Sequence, residues 1–140
     1  MSREALRAAL ESELRAFSTP RALPVAGENR TFHPKGHHPY LETSIIVSDE
    51  GAAALGENAV SKIDGFMQVD VVTEAGKGPG EADRIKDALN MHFGRRRIEG
   101  DGVTIIVSGV RTAPSGYARA AEYILPVDIR FTAYATFQRG

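Results

Sequence analysis

The chain contains no cysteine, carries a net charge of only −1 and never runs through a long uninterrupted apolar stretch. Without cysteine there can be no disulfide, thiol nucleophile, zinc–thiolate site or iron–sulfur cluster, and a reducing compartment is compatible. Near-neutral charge gives no global pull toward nucleic acid or an anionic membrane. No window approaches the roughly 18 apolar residues of a membrane span. The opening segment MSREALRAALESELRAF is charged throughout and lacks the apolar centre of a signal peptide. The expectation is a soluble, cytosolic chain without a membrane partner.

Phosphate-binding signatures are missing as well. The turn AGKGPG invites a nucleotide reading, but Lys77 is followed by Gly78 and Pro79 rather than the Ser or Thr of a P-loop. Gly76, Gly78 and Gly80 give G-x-G-x-G, not the dinucleotide spacing G-x-G-x-x-G. Glu81 and Asp83 then fall in the first turn of the following helix, where they suit the helix dipole but would repel a phosphate. The turn reverses the chain. There is no G-x-S-x-G elbow, and Ser115-Gly116 reads as turn chemistry. No H-E-x-x-H spacing occurs either.

What remains is an ordinary globular composition, 42% apolar and 25% charged over 140 residues, enough for one domain with a core. Residues Arg3–Phe17 predict a helix that Ser2 can cap, with Leu6, Leu10, Leu14 and Phe17 in one stripe and Thr19-Pro20 as its end. The polar, proline-punctuated connection Pro20–Pro39 follows, with short extended pieces expected at Leu23–Val25 and Arg30–Phe32. Tyr40–Ser48 alternates as a strand with Leu41, Thr43, Ile45 and Val47 on one side. Asp49–Leu55 reads as turn-like, and Ala59–Ile63 as a short strand leading to a hairpin turn at Asp64-Gly65. Phe66–Glu74 is a strand in which Met67, Val69 and Val71 alternate with Gln68 and Asp70. Ala82, Ile85, Leu89 and Phe93 form the apolar stripe of a second helix, with Gly94 as its C-cap and Arg95, Arg96 and Arg97 complementing the dipole. After a turn at Gly100-Asp101-Gly102, Val103–Val110 is a β-branched strand. Thr112–Ala121 reads as a loop. Glu122–Phe137 holds the longest period-two pattern, with Tyr123, Leu125, Val127, Ile129, Phe131, Ala133 and Phe137 apolar. Pro126 is a place for it to bend. The fold class is α+β: a largely antiparallel (mixed) sheet of about four to five strands, with two helices packed on one face.

Three groups of residues could carry function. His33, His37 and His38 share one loop, but they lack convergent metal-ligand spacing, and neighbouring His37 and His38 point apart. No cofactor or metal is expected. Asp70 and Asp128, with Gln68 and Arg130 near them in pattern, fall on polar strand faces; they suit a cross-strand charge pair or a subunit interface better than acid–base catalysis. Arg95–Arg97 is the one basic run and reads first as a solvated helix end.

Four segments, in order, resemble the tail terminator family of long-tailed phages, also called minor tail or tail completion proteins. They are PYLETSIIVS, GFMQVDVVTEAGKGPGEADRIKDALNMHF, GVTIIVSGV and YILPVDIRFTAY, together spanning roughly Pro39–Tyr134. The resemblance implies one tail-terminator-like domain over residues 1–140, no enzymatic activity, and assembly with itself as a homo-hexameric ring on the head-proximal end of the tail tube. There it would end polymerisation of the major tail tube protein and offer the surface for the head completion, or connector, protein. The setting would be a virion of a phage, prophage or gene transfer agent, assembled in the host cytoplasm. Candidate subunit or tube contacts are His33, His37, His38, Gln68, Asp70, Asp128 and Arg130. DNA would pass the lumen without specific recognition, and Arg95, Arg96 and Arg97 are candidates to face it. The competing expectation is a small ligand- or metal-binding domain, or an enzyme, using the His33–His38 loop.

Overall fold

The computed structural model describes residues 2–27, 38–52 and 60–136. Helix α1 (Ser2–Ser18) is followed by a 3-10 turn (Thr19–Arg21) and the short strand β1 (Val25–Ala26). Strands β2 (Tyr40–Ala52) and β3 (Val60–Glu74) lead to helix α2 (Gly80–Phe93). Strands β4 (Arg97–Gly100), β5 (Val103–Thr112), β6 (Tyr117–Arg119) and β7 (Glu122–Thr136) complete the chain. The strands form one mixed sheet of order β1-β2-β3-β7-β5-β4, with β6 also on β7. Among the described strands only the β1–β2 pair is parallel. The α+β class with two helices on one face therefore holds, with seven strands in place of four or five.

The core follows from periodicity. Leu6, Leu10, Leu14 and Phe17 of α1 are fully buried, as are Ala82, Leu89 and Phe93 of α2. They meet Met67, Val69 and Val71 of β3 and the odd positions Val127 to Ala135 of β7. Pro20 lacks the N–H that would continue α1, and Ala22 (φ 54°) turns the chain left-handed after it. The glycine-rich turn before α2 places Gly76 and Gly78 at positive φ, as a tight reversal requires.

Several local expectations are corrected. Asp64-Gly65 is not a hairpin turn but the middle of β3, paired with Asp49 and Val47 of β2 across a bulge at Ser48. Asp49–Ala52, expected as a turn, continues β2; residues 53–59 and 30–37 lie outside the described residues. The reason for the glycine is close approach: a Cβ on Gly65 would stand 2.2 Å from the Ile46 carbonyl oxygen. Thr112–Ala121 contains β6, and the segment after α2 continues into β4 from Arg97 onward. Gly94 caps α2 through its N–H to the Asn90 carbonyl, but the left-handed residue is Arg95 (φ 57°).

Pro126 sits inside β7, between β3 and β5, and is tolerated for a specific reason. Its carbonyl accepts from Ala113 N–H, so its nitrogen also faces the β5 side. There β5 has ended at Thr112, and β6 pairs only from Ile124 outward. The missing donor falls in that gap.

Candidate interface on the open sheet face

Because the helices cover one side, every second residue of the sheet is left on an uncovered face. Register puts Phe66 of β3 between Ile46 and Arg130, and Gln68 between Ser44 and Asp128. Asp70 lies between Glu42 and Pro126. The structure thus brings Gln68, Asp70, Asp128 and Arg130 onto one surface. Asp70 and Asp128 are not cross-strand partners, and Asp128 and Arg130 have no ion pair among the described residues. Gln68 Nε2 donates to Asp70 Oδ1 at 3.1 Å. Burial pushes the Asp70 carboxyl up, the Gln68 bond lowers it in part, and the Glu42 charge adds to the rise.

Apolar side chains share this face. Ile46 (40% exposed), Ile106 (42%) and Tyr134 (37%) point away from the core, with half-buried Phe66 next to Ile46. Two bulges at one level of the sheet shape it. Ser48 Oγ donates to the Asp64 carbonyl at 3.0 Å and Ser108 Oγ to the Arg130 carbonyl at 3.3 Å. Between them Phe66, Arg130 and Thr132 border an open depression. Bulges break ladder pairing and re-aim side chains, which is how a regular sheet acquires a shaped contact surface.

The histidine loop does not form a site among the described residues. His33 and His37 lie outside them, while His38 is engaged: its Nε2 is 2.8 Å from Glu122 Oε2. No group of three or more His, Asp or Glu side chains among the described residues could hold a metal ion. Of the basic run, Arg96 pairs with Glu13 and donates to the His92 carbonyl, and Arg97 pairs with Glu99 at 2.7 Å. Only Arg95 makes no ion pair among the described residues.

Sequence reasoning missed a charge cluster at the end of the sheet. Arg119 of β6 donates to Glu42 Oε1 and Oε2 at 2.6 and 3.2 Å and to Glu122 Oε1 at 3.0 Å. The Tyr40 hydroxyl donates to Glu122 Oε2 at 2.7 Å, with Glu42 Oε1 at 3.2 Å. Burial and the acceptor carboxylates push the Tyr40 hydroxyl up, and the bond to Glu42 does the same for Arg119. Burial alone would raise Glu122, but bonds from Tyr40, His38 and Arg119 outweigh it and hold the carboxyl below its usual range. The cluster fastens β6 and the end of the histidine loop to β2 and β7. Glu122 is only 3 residues from Arg119, but Glu42 is 77 residues away, and no local pattern signals the bond that joins them through Arg119.

A pH dependence follows from Glu122. A carboxyl lowered in the fold stabilises above its unfolded value of 4.5, and that contribution disappears as pH falls through the lower folded value. Glu122→Gln is expected to cost about 1 kcal/mol at neutral pH and progressively less as pH falls below the unfolded carboxyl value. Urea unfolding of both proteins across that range checks it; a pH-independent gap contradicts it.

An uncovered sheet face carrying unpaired charge beside exposed apolar side chains has the make-up of a protein-contact surface. A family model described as phage tail terminator protein matches residues 5–131, and the chain belongs to this family of structural phage tail proteins. No protein with a curated description matches the sequence. Twelve chains of solved structures match. The protein is similar to one at 24% identity, covering 100% of this chain and 99% of the other with a TM-score of 0.74. It is also similar to a chain from the virion of a native gene transfer agent particle, at 18% identity, 96% coverage of both chains and a TM-score of 0.61. At these identities the likeness is one of fold.

Proposed function

We propose that the protein, as one tail-terminator-like domain, closes the head-proximal end of a tail tube as a homo-hexameric ring. It ends polymerisation of the major tail tube protein and offers the surface to which the head completion protein joins. The family match across residues 5–131 carries this reading. The uncovered face supports it, because a ring subunit must keep apolar surface available until its neighbour arrives. Any lumen role of the basic run falls to Arg95, since Arg96 and Arg97 are held by Glu13 and Glu99.

The test is particle morphology. Particles lacking the protein are expected to yield overlong tubes without heads, and adding it back restores fixed length; tubes of normal length without it overturn the reading. A second expectation concerns the open face. Reversing Asp128 and Arg130 together (Asp128→Arg with Arg130→Asp) should leave the melting temperature within a few degrees, as for exposed substitutions of about 0.5 kcal/mol or less. Tube capping should fall at least tenfold. If the variant caps tubes normally, these residues are not contacts.

A further inference from the structure

Among the described residues, large apolar side chains meet solvent in few places. Ile46, Ile106 and Tyr134 lie on the open sheet face, and Tyr117 stands on β6. Met91 stands by itself on α2 and is 88% exposed, the highest value among the exposed large hydrophobic side chains. It occupies the pole of α2 opposite its buried stripe Ala82, Leu89 and Phe93. Since α2 covers the other side of the sheet, Met91 and the open face point in opposite directions. An Arg–Asp pair on α2 matches an Asp–Arg pair on the open face, where Arg111 of β5 also lies opposite Asp128. Asp87 and Arg84 lie one and two turns before Met91 on the exposed side of α2, three residues apart. Asp128 and Arg130 lie two residues apart on the open face, beside Ile46 and Phe66. Arg84, Asp128 and Arg130 have no ion pair among the described residues, and Asp87 pairs only with the adjacent Lys86 at 2.9 Å.

We infer that the open sheet face of one subunit seats the outer face of α2 of a second copy of this chain. Met91 enters the depression bordered by Phe66 and Thr132, Asp87 meets Arg130, and Arg84 meets Asp128. The two surfaces are different parts of one molecule on opposite sides of its sheet, so the contact is heterologous. It propagates head to tail, and closes only if the rotation per subunit permits. A self-complementary patch would have made a two-fold dimer instead. The inference rests on the ring reading above and supplies its contact.

The absence of native cysteine makes the test clean. Ile46→Cys and Met91→Cys are placed in the same chain, which is then assembled on tail tubes and oxidised. The expected result is a ladder of disulfide-linked species ending at the mass of the ring. Mixing the two single variants should give a linked dimer and nothing larger. Asp101→Cys in the exposed β4–β5 turn replaces Ile46→Cys as the control and should give no link to Met91→Cys. Arg130→Asp should abolish the ladder, and adding Asp87→Arg should restore it. A ring of unchanged size without Ile46–Met91 linkage overturns this contact while leaving the ring standing. A chain that stays monomeric even with tubes present overturns both, and native mass measurement tells the two failures apart.

Discussion

Gly65→Ala is expected to cost about 3 kcal/mol or more, at or beyond the upper end for overpacked sites. The added methyl would stand 2.2 Å from the Ile46 carbonyl oxygen, 3.2 Å from its carbonyl carbon and 3.1 Å from the Val47 Cα. All three are backbone atoms of the paired strand, so no side chain can swing aside. Either β2 moves off β3 or the bulge at Ser48 is lost, and with it the register that faces Leu41 and Thr43 inward. Against a total of about 5–15 kcal/mol, such a loss leaves little margin. Gly51→Ala is the matched control, because a Cβ there meets nothing within 4 Å. It should be neutral or gain up to about 1 kcal/mol through the unfolded chain. Urea unfolding of the two variants decides it, and equal stabilities would refute the role given to Gly65.

That same glycine shows where reading the sequence stops. Asp-Gly is a strong local hairpin signal, and at Asp101-Gly102 it does make the β4–β5 turn, with Gly102 at φ 72°. At Asp64-Gly65 the identical dipeptide serves a contact with a strand 18 residues earlier, and no local pattern separates the two uses. Long regular elements were legible because burial imposes a period. The alternation of β7 and the Leu6–Leu10–Leu14–Phe17 stripe are read directly from spacing, and the structure buries those residues. Strands of four and three residues, β4 and β6, are too short to show a period. Part of the candidate site was legible for the same reason. Gln68, Asp70, Asp128 and Arg130 are even-numbered residues of alternating strands, so one choice of core face put all four on the other. The Arg119–Glu42–Glu122 cluster was not, since it depends on a hairpin folding back onto β7 and on pairing between distant strands.

Two residues on α2 are expected to separate stability from assembly. Phe93 is fully buried, with its ring centroid 6.4 Å from that of Phe17 on α1 and 4.9 Å from that of His92. It joins both helices to the sheet, so Phe93→Ala removes contacts from three elements and leaves a cavity the frame closes only in part. The expected loss is about 3–5 kcal/mol, with assembly failing as a consequence of unfolding. His92 beside it packs edge-on against Phe17 with ring centroids 5.4 Å apart, and burial first, then the Arg96 charge, lower its pKa. Met91 is two positions earlier on the same helix and faces the opposite way. Met91→Ala should change stability by no more than about 0.5 kcal/mol, because nothing in the free subunit covers it. If the α2–sheet contact forms, the same substitution should weaken ring formation at least tenfold, as truncation of a central apolar contact residue does. Thermal melting and native mass measurement on both variants give the answer. A Met91→Ala protein that melts early belongs to the core after all, and one that melts normally and forms rings normally removes Met91 from the interface.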